Sequence, residues 1–134
     1  RILFNPKESV DFNGNTGPFI QYAYARIQSI VKQSIDSKKN ISLEIPLDQK
    51  EKELLKWLEL YPQTIHNAAE QYSPALVANY IYELVKRFNS YYQKVVILTE
   101  DEHIRHFRVR LASQVGYVIQ SGMGILGIEC PEQM

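Results

Sequence analysis

Cysteine is nearly absent from these 134 residues. Cys130 stands alone, so an internal disulfide is impossible and nothing calls for an oxidising compartment. Tryptophan also occurs once, at Trp57, while glycine and proline occur six times each, too rarely for a collagen-like or low-complexity chain. Long apolar runs are missing: stretches such as Val95 to Leu98 last only a few residues, against the roughly 20 that cross a bilayer. No basic and apolar leader ends in a cleavage-type site, so the expected location is the cytoplasm, without a membrane partner. An excess of charge of either sign is lacking too, since 15 Lys and Arg balance 15 Asp and Glu. The whole-molecule field therefore offers nucleic acid no bulk attraction, and DNA is not an expected partner.

What is present suits a self-sufficient fold. Apolar residues make up 45% of the chain and charged residues 22%, which together with the length implies one domain over residues 1–134. The charges are not evenly spread. Acid gathers at Asp48, Glu51, Glu53, Glu59 and the run Glu100 to Glu102, and base at Lys86, Arg87 and Lys94, then Arg105, Arg108 and Arg110. A local basic surface is compatible with that distribution.

The apolar spacing is helical almost throughout. Residues 1–17 carry turn formers, Asn5-Pro6 and Asn13-Gly14-Asn15-Thr16-Gly17, and are expected to be a loop leading into the fold. From Pro18, the residues Phe19, Tyr22, Ala23, Ile27, Ile30 and Val31 recur at three and four, which predicts a first helix ending near Lys38-Lys39-Asn40. Asp48 with Glu51 has the form of a capping box for a second helix, which runs until Pro62. A short third helix carries Ile65, Ala68, Ala69 and Tyr72. Ser73-Pro74 opens the strongest stripe, Val77, Tyr80, Ile81, Leu84, Val85, Phe88, Tyr91 and Tyr92. Thr99 with Glu102 forms another candidate capping box, for a last helix closed by Gly122. The expected fold is all-α: a bundle of about five helices over 18–122, with an irregular tail at 123–134. Only Ile41 to Ile45 offers a doubtful strand.

Catalytic patterns are hard to find. The Asn13 to Gly17 loop lacks a P-loop lysine or Gly-x-Gly-x-x-Gly spacing, and Cys130 has no histidine partner in a catalytic arrangement. His103 and His106 lie three apart without a third ligand, so solvated helix surface is the expected reading and no metal is implied.

Three separated motifs resemble class I arginyl-tRNA synthetases, collinearly across nearly the whole chain. Phe12-Asn13-Gly14-Asn15-Thr16-Gly17-Pro18-Phe19-Ile20-Gln21-Tyr22-Ala23-Tyr24-Ala25-Arg26 is similar to the junction where an Ω-type loop enters the anticodon-binding domain. Tyr72-Ser73-Pro74 with Asn89-Ser90-Tyr91-Tyr92 resembles a later helix of that domain, and Gly122 to Ile128 with Pro131-Glu132-Gln133-Met134 resembles its finish. Two departures stand out. The Asp-Ala-Leu-Arg element that names the domain is Glu102-His103-Ile104-Arg105 here, and the usual Pro-Glu-Arg-Met terminus has Gln133 in place of arginine.

The resemblance implies a C-terminal, DALR-type anticodon-binding domain, with the anticodon loop of tRNA-Arg and an upstream catalytic domain of the same chain as partners. It also implies a parent ligase that joins arginine to tRNA with ATP and magnesium. The His-x-Gly-His and Lys-Met-Ser-type elements of such catalysis do not occur here, so this chain by itself is expected to need no cofactor and to catalyse nothing. Carried over residue by residue, the tRNA-binding set is Asn13, Gly14, Asn15, Thr16, Gly17, Phe19, Tyr22, Arg26, Tyr92 and Met134. Val96 occupies a place where some family members have an additional stacking aromatic, a role that could pass to Tyr91. Unstacked bases need aromatic faces, and nine tyrosines supply them. Periodicity alone gives a different answer, because Tyr22 shares the stripe of Ile30 and Tyr92 continues that of Phe88, both as core. Charge balance likewise favours the alternative of a helical protein-protein interaction domain without RNA binding.

Overall fold

The computed structural model describes residues 16–34 and 46–133, which form five helices and, among the described residues, no strand. They are α1 (Thr16–Gln33), α2 (Gln49–Glu59), α3 (Tyr61–Glu70), α4 (Pro74–Lys94) and α5 (Glu102–Ile125). The doubtful strand at Ile41 to Ile45 and most of the expected Ω-type loop lie outside the described residues. No helix among those described is long and apolar enough to cross a membrane.

Helix α4 is the axis of the bundle and touches each of the other four. Its stripe of Val77, Tyr80, Ile81, Leu84, Val85, Phe88 and Tyr91 is buried, and it meets Ile20 and Ile27 of α1, Leu54 of α2 and Ile119 of α5 in one core. Each such aliphatic or phenyl side chain withdrawn from water stabilises the fold by about 1.5 to 3 kcal/mol. Directed bonds add register. Trp57 Nε1 donates to the Tyr80 carbonyl (3.2 Å) while the Tyr80 hydroxyl donates to the Trp57 carbonyl (2.7 Å), which pins α2 to α4.

Several boundaries differ from those expected. Helix α1 begins at Thr16, so Thr16 and Gly17 sit in its first turn and not in the loop; Pro18 fits there because the first amides of a helix lack intrahelical partners anyway. It ends at Gln33, ahead of Lys38, with Ser34 Oγ and N both donating to the Val31 carbonyl. The Asp48–Glu51 capping box is present: Asp48 accepts from Lys50 N (2.8 Å) and Glu51 Oε1 from Asp48 N (2.9 Å). Ser73 does stand at the N-cap of α4, but its side chain makes no capping bond.

Tyr72 is not on the third helix. It follows α3 in the left-handed region at φ 50°, where Ser73 N bonds the Ala68 carbonyl and Tyr72 N the Ala69 carbonyl, a Schellman closure. The Thr99–Glu102 capping box does not form. Asp101 caps α5 instead, accepting from Ile104 N (3.1 Å), and the carbonyls of Thr99 and Glu100 are taken by Arg105 Nη1. Gly122 does not close the helix, and Met123 is fully buried within it rather than part of the tail. The end comes at Gly127 (φ 77°), with Ile128 N on the Met123 carbonyl and Gly127 N on that of Gly124.

A buried polar junction locks the end of α4. Glu51, 1% exposed, accepts from the Tyr91 hydroxyl (2.7 Å) and from Arg108 Nε (3.0 Å), and Arg108 Nη1 reaches on to the Val96 carbonyl (2.8 Å). Burial and the adjoining carboxylate push the Tyr91 phenol well above its usual range. Three helices and the Val95 to Leu98 segment are thereby fixed to one carboxylate, whose partners satisfy the charge that burial would otherwise penalise.

Candidate nucleic-acid interface

Tyr22, Arg26, Ser29 and Gln33 follow each other at intervals of four, three and four along α1, so they share one face, and all four are exposed. That face is the complement of the buried one, Ile20, Ala23, Tyr24, Ile27 and Ile30. Tyr22 is 61% exposed. The reading of Tyr22 as core, which periodicity alone suggests, is therefore overturned: it lies at the border of the stripe and turns outward.

The end of α4 comes alongside. Tyr92, 41% exposed, lies beneath Arg26, whose guanidinium carbon is 4.5 Å from the ring centroid. Arg26 Nη1 also donates to Asn89 Oδ1 (3.3 Å), one turn before Tyr92. The other neighbour of the Tyr92 ring is Phe88, with centroids 6.4 Å apart and planes tilted by 34°. Phe88, Tyr92 and Arg26 thus form a layered column that emerges from the core. Tyr91, one position back, is fully buried on Glu51 and cannot assume the stacking role suggested for it.

The C-terminal tail supplies a second wall. Gln21 Nε2 donates to the Glu129 carbonyl (2.9 Å), Ile128 and Cys130 pack against the core, and Lys32 Nζ is 3.4 Å from Glu132 Oε2. That ion pair is open to water on both sides, so it contributes at most about 1 kcal/mol. Held in this way, Glu132 and Gln133 face Tyr22, Ala25, Arg26 and Ser29 across a groove of about 530 Å3. On the other side of Arg26 and Ser29, Ile30, Gln33, Tyr92 and the Val95 to Leu98 segment enclose a second groove of about 450 Å3. Arg26 and Ser29 are the ridge between the two.

The expected binding set divides accordingly. Tyr22, Arg26 and Tyr92 come together. Phe19 does not join them: it packs against the core, its ring 5.7 Å from that of Tyr82. Gly17 is buried and Thr16 half-buried in the first turn of α1. Asn13, Gly14, Asn15 and Met134 lie outside the described residues, although Gln133, which precedes Met134, lines the tail groove. Asn89, Ser29 and Gln33 were missed; the signal was a helical spacing, three from Tyr92 for Asn89 and three and seven from Arg26 for Ser29 and Gln33, which any polar residue on the same exposed face also shows.

Several cations elsewhere are committed to structure. Arg87 bonds Glu83 (2.7 Å) and covers Trp57, while Arg105 and Arg108 hold the start of α5 and the Glu51 junction. Of the basic segments seen in the sequence, Lys94 instead lines the second groove and Arg110 is exposed. His103 is exposed, whereas His106 is 5% exposed, contrary to the solvated surface expected for both; its Nε2 lies 3.6 Å from Glu102 Oε1. Among the described residues no three His, Cys, Asp or Glu are grouped to hold a metal ion.

The helical bundle is an architecture that known proteins share. The DALR anticodon binding domain family matches residues 20–134, and the chain belongs to that family. Its relatives include the arginine–tRNA ligases of Flavobacterium psychrophilum and Bacteroides thetaiotaomicron, 52% and 47% identical over 99% of this chain. The chain spans only 22% and 23% of those relatives' lengths. The solved arginyl-tRNA synthetase of Thermus thermophilus matches 98% of the chain with a TM-score of 0.83 at 30% identity, over 23% of its own length. That of Plasmodium falciparum matches 92% of the chain with a TM-score of 0.72, over 22% of its own length; its 24% identity supports the shared fold alone.

Proposed function

We propose that the chain is the anticodon-loop recognition domain of an arginine–tRNA ligase, and that residues 1–134 act as one unit in it. The observation that carries this reading is the exposed array of Tyr22, Arg26 and Tyr92 between two grooves. An anticodon loop presents unstacked bases, which bind by stacking on aromatic or guanidinium planes and by hydrogen bonds to their edges. Asn13, Gly14, Asn15 and Met134 complete the binding set in this proposal, with Thr16 and Gly17 shaping the entry to α1 and Phe19 supporting it from within.

Joining arginine to tRNA-Arg falls to a catalytic domain of the same parent chain, in the cytoplasm. ATP and its magnesium ion supply the activation of the amino acid there. The described residues of the site do not fit them: they offer phenols, a guanidinium, amides and the single carboxylate of Glu132, without a group of carboxylates to hold a metal ion.

The test is a gel-shift titration with tRNA-Arg and a non-cognate tRNA. Tighter binding of tRNA-Arg supports the proposal. Binding of neither tRNA would leave a helical protein-protein interaction domain as the better account, and equal binding of a DNA hairpin of the same sequence would contradict RNA recognition. Given ATP, arginine and tRNA, the isolated chain should form no aminoacyl-tRNA.

A further inference from the structure

We propose that the groove between α1 and the Val95 to Leu98 segment receives a single unpaired nucleobase, stacked on Arg26 and identified by the Gln33 and Ser29 side chains. This rests on the RNA-loop reading above and adds the residues that would select the base.

The plane offered to a ligand is not the Tyr92 ring itself. Arg26 already covers one side of that ring at 4.5 Å and Phe88 borders it as well, so a base entering the groove meets the outer face of the guanidinium. A guanidinium plane stacks on a base as an aromatic does, and this one lies over the Tyr92 ring and is tied to Asn89 through Nη1. Its Nη1 is already engaged by Asn89, which leaves the selection of the base to the neighbouring side chains in this proposal.

The remaining walls divide the work. Val96, 67% exposed, and Leu98 give the apolar side that a heterocycle needs. Opposite, Gln33 Nε2 lies 3.4 Å from Ser29 Oγ, which presents a paired amide and hydroxyl on the face of α1 that carries Arg26. No other hydrogen bond to a described residue competes for these two side chains. An amide offers a donor and an acceptor in one plane, which is the pattern needed to distinguish bases by their edges. Gln93 also lines the groove but makes no hydrogen bond to a described residue, so its amide has no fixed direction. The volume of about 450 Å3 lies within the roughly 300 to 1,000 Å3 of small-ligand sites.

The experiment uses hairpins of the tRNA-Arg anticodon stem-loop in which each loop base is changed in turn, with affinity measured for wild type and three variants. Gln33→Ala should lower discrimination at one loop position about tenfold or more while preferences elsewhere persist. Arg26→Lys keeps the charge and loses the plane, so it should weaken every hairpin about tenfold with an unchanged salt dependence. Gln114→Ala, on the exposed face of α5 and outside the groove lining, should leave the pattern as it was. Unchanged preferences in Gln33→Ala, at an unchanged melting temperature, would overturn the inference and leave the RNA-loop reading standing. Failure of the wild type to bind any hairpin would overturn both.

Discussion

At the scale of single residues, the two exposed tyrosines of the candidate interface bear their surroundings differently. Tyr22 has little above it, whereas Tyr92 is braced by Arg26 and Phe88. Tyr22→Ala and Tyr92→Ala should each weaken tRNA binding by about 1 to 3 kcal/mol if a base stacks on the ring removed or on the Arg26 plane that Tyr92 supports. Melting temperatures should barely move, because neither ring fills the core; a truncated core aromatic would instead destabilise the fold by about 3 to 5 kcal/mol. Calorimetric melting and affinity on the same proteins separate the outcomes, and a large drop in stability with unchanged affinity would reverse their assignment. The sequence could not say which of Tyr91 and Tyr92 turns inward. Neighbours on a helix lie about 100° apart, both rings continue the stripe of Phe88, and the choice is made by Glu51 on another helix.

Elements were legible where their signals were local. The Asp48–Glu51 box needs only four consecutive residues, and it forms; about five helices were expected and five are found among the described residues. Boundaries decided by tertiary contacts were not legible. Asp101 displaces Thr99 as a cap once Arg105 folds back onto the Thr99 and Glu100 carbonyls. Gly122 has the look of a stop signal, yet its missing side chain makes room for α4: a Cβ there would overlap Ile81 Cδ1 and lie 2.9 Å from Ile81 Cγ1. Gly122→Ala should therefore destabilise the protein by about 1 to 3 kcal/mol through overpacking, visible in urea denaturation. Tyr72→Gly should do the opposite, by roughly 0.5 to 1 kcal/mol, since an 87% exposed tyrosine held at φ 50° has backbone strain to relieve and little packing to lose. A destabilised Tyr72→Gly would mean that the ring makes contacts outside the described residues.

Across the whole molecule, balanced charge limits how an anionic partner can be held. With three of the five described arginines, Arg87, Arg105 and Arg108, engaged within the fold, on the order of three to five phosphates should be neutralised, which for single-stranded RNA gives a log–log salt slope of about 2 to 3.5. A slope near ten, measured by affinity against potassium chloride, would be incompatible with this surface. Alkali should act on the interior. Burial pushes the Cys130 thiol up to about 11 and raises the Tyr80 and Tyr91 phenols above their usual 10.0. Because these folded-state values exceed the unfolded ones, the stability they carry is complete below about pH 9 to 10 and is lost as pH climbs through the folded values. Melting temperatures should hold to about pH 9 and then decline, and a profile flat beyond pH 11 would contradict the buried hydroxyl network.

The pairing of Trp57 with Tyr80 has an optical consequence. Trp57 is the one indole in the chain, stacked on Tyr80 at 5.3 Å and 7° and capped by Arg87 at 4.1 Å. Along α4, Tyr80 and Tyr92 are roughly 18 Å apart at 1.5 Å per residue. Intrinsic indole fluorescence therefore originates in the α2–α4 seam, away from the ridge of Arg26 and Ser29. It should shift when the bundle opens and stay dark to an RNA loop settling on the far side, so folding can be followed by light in the same cuvette in which binding is titrated.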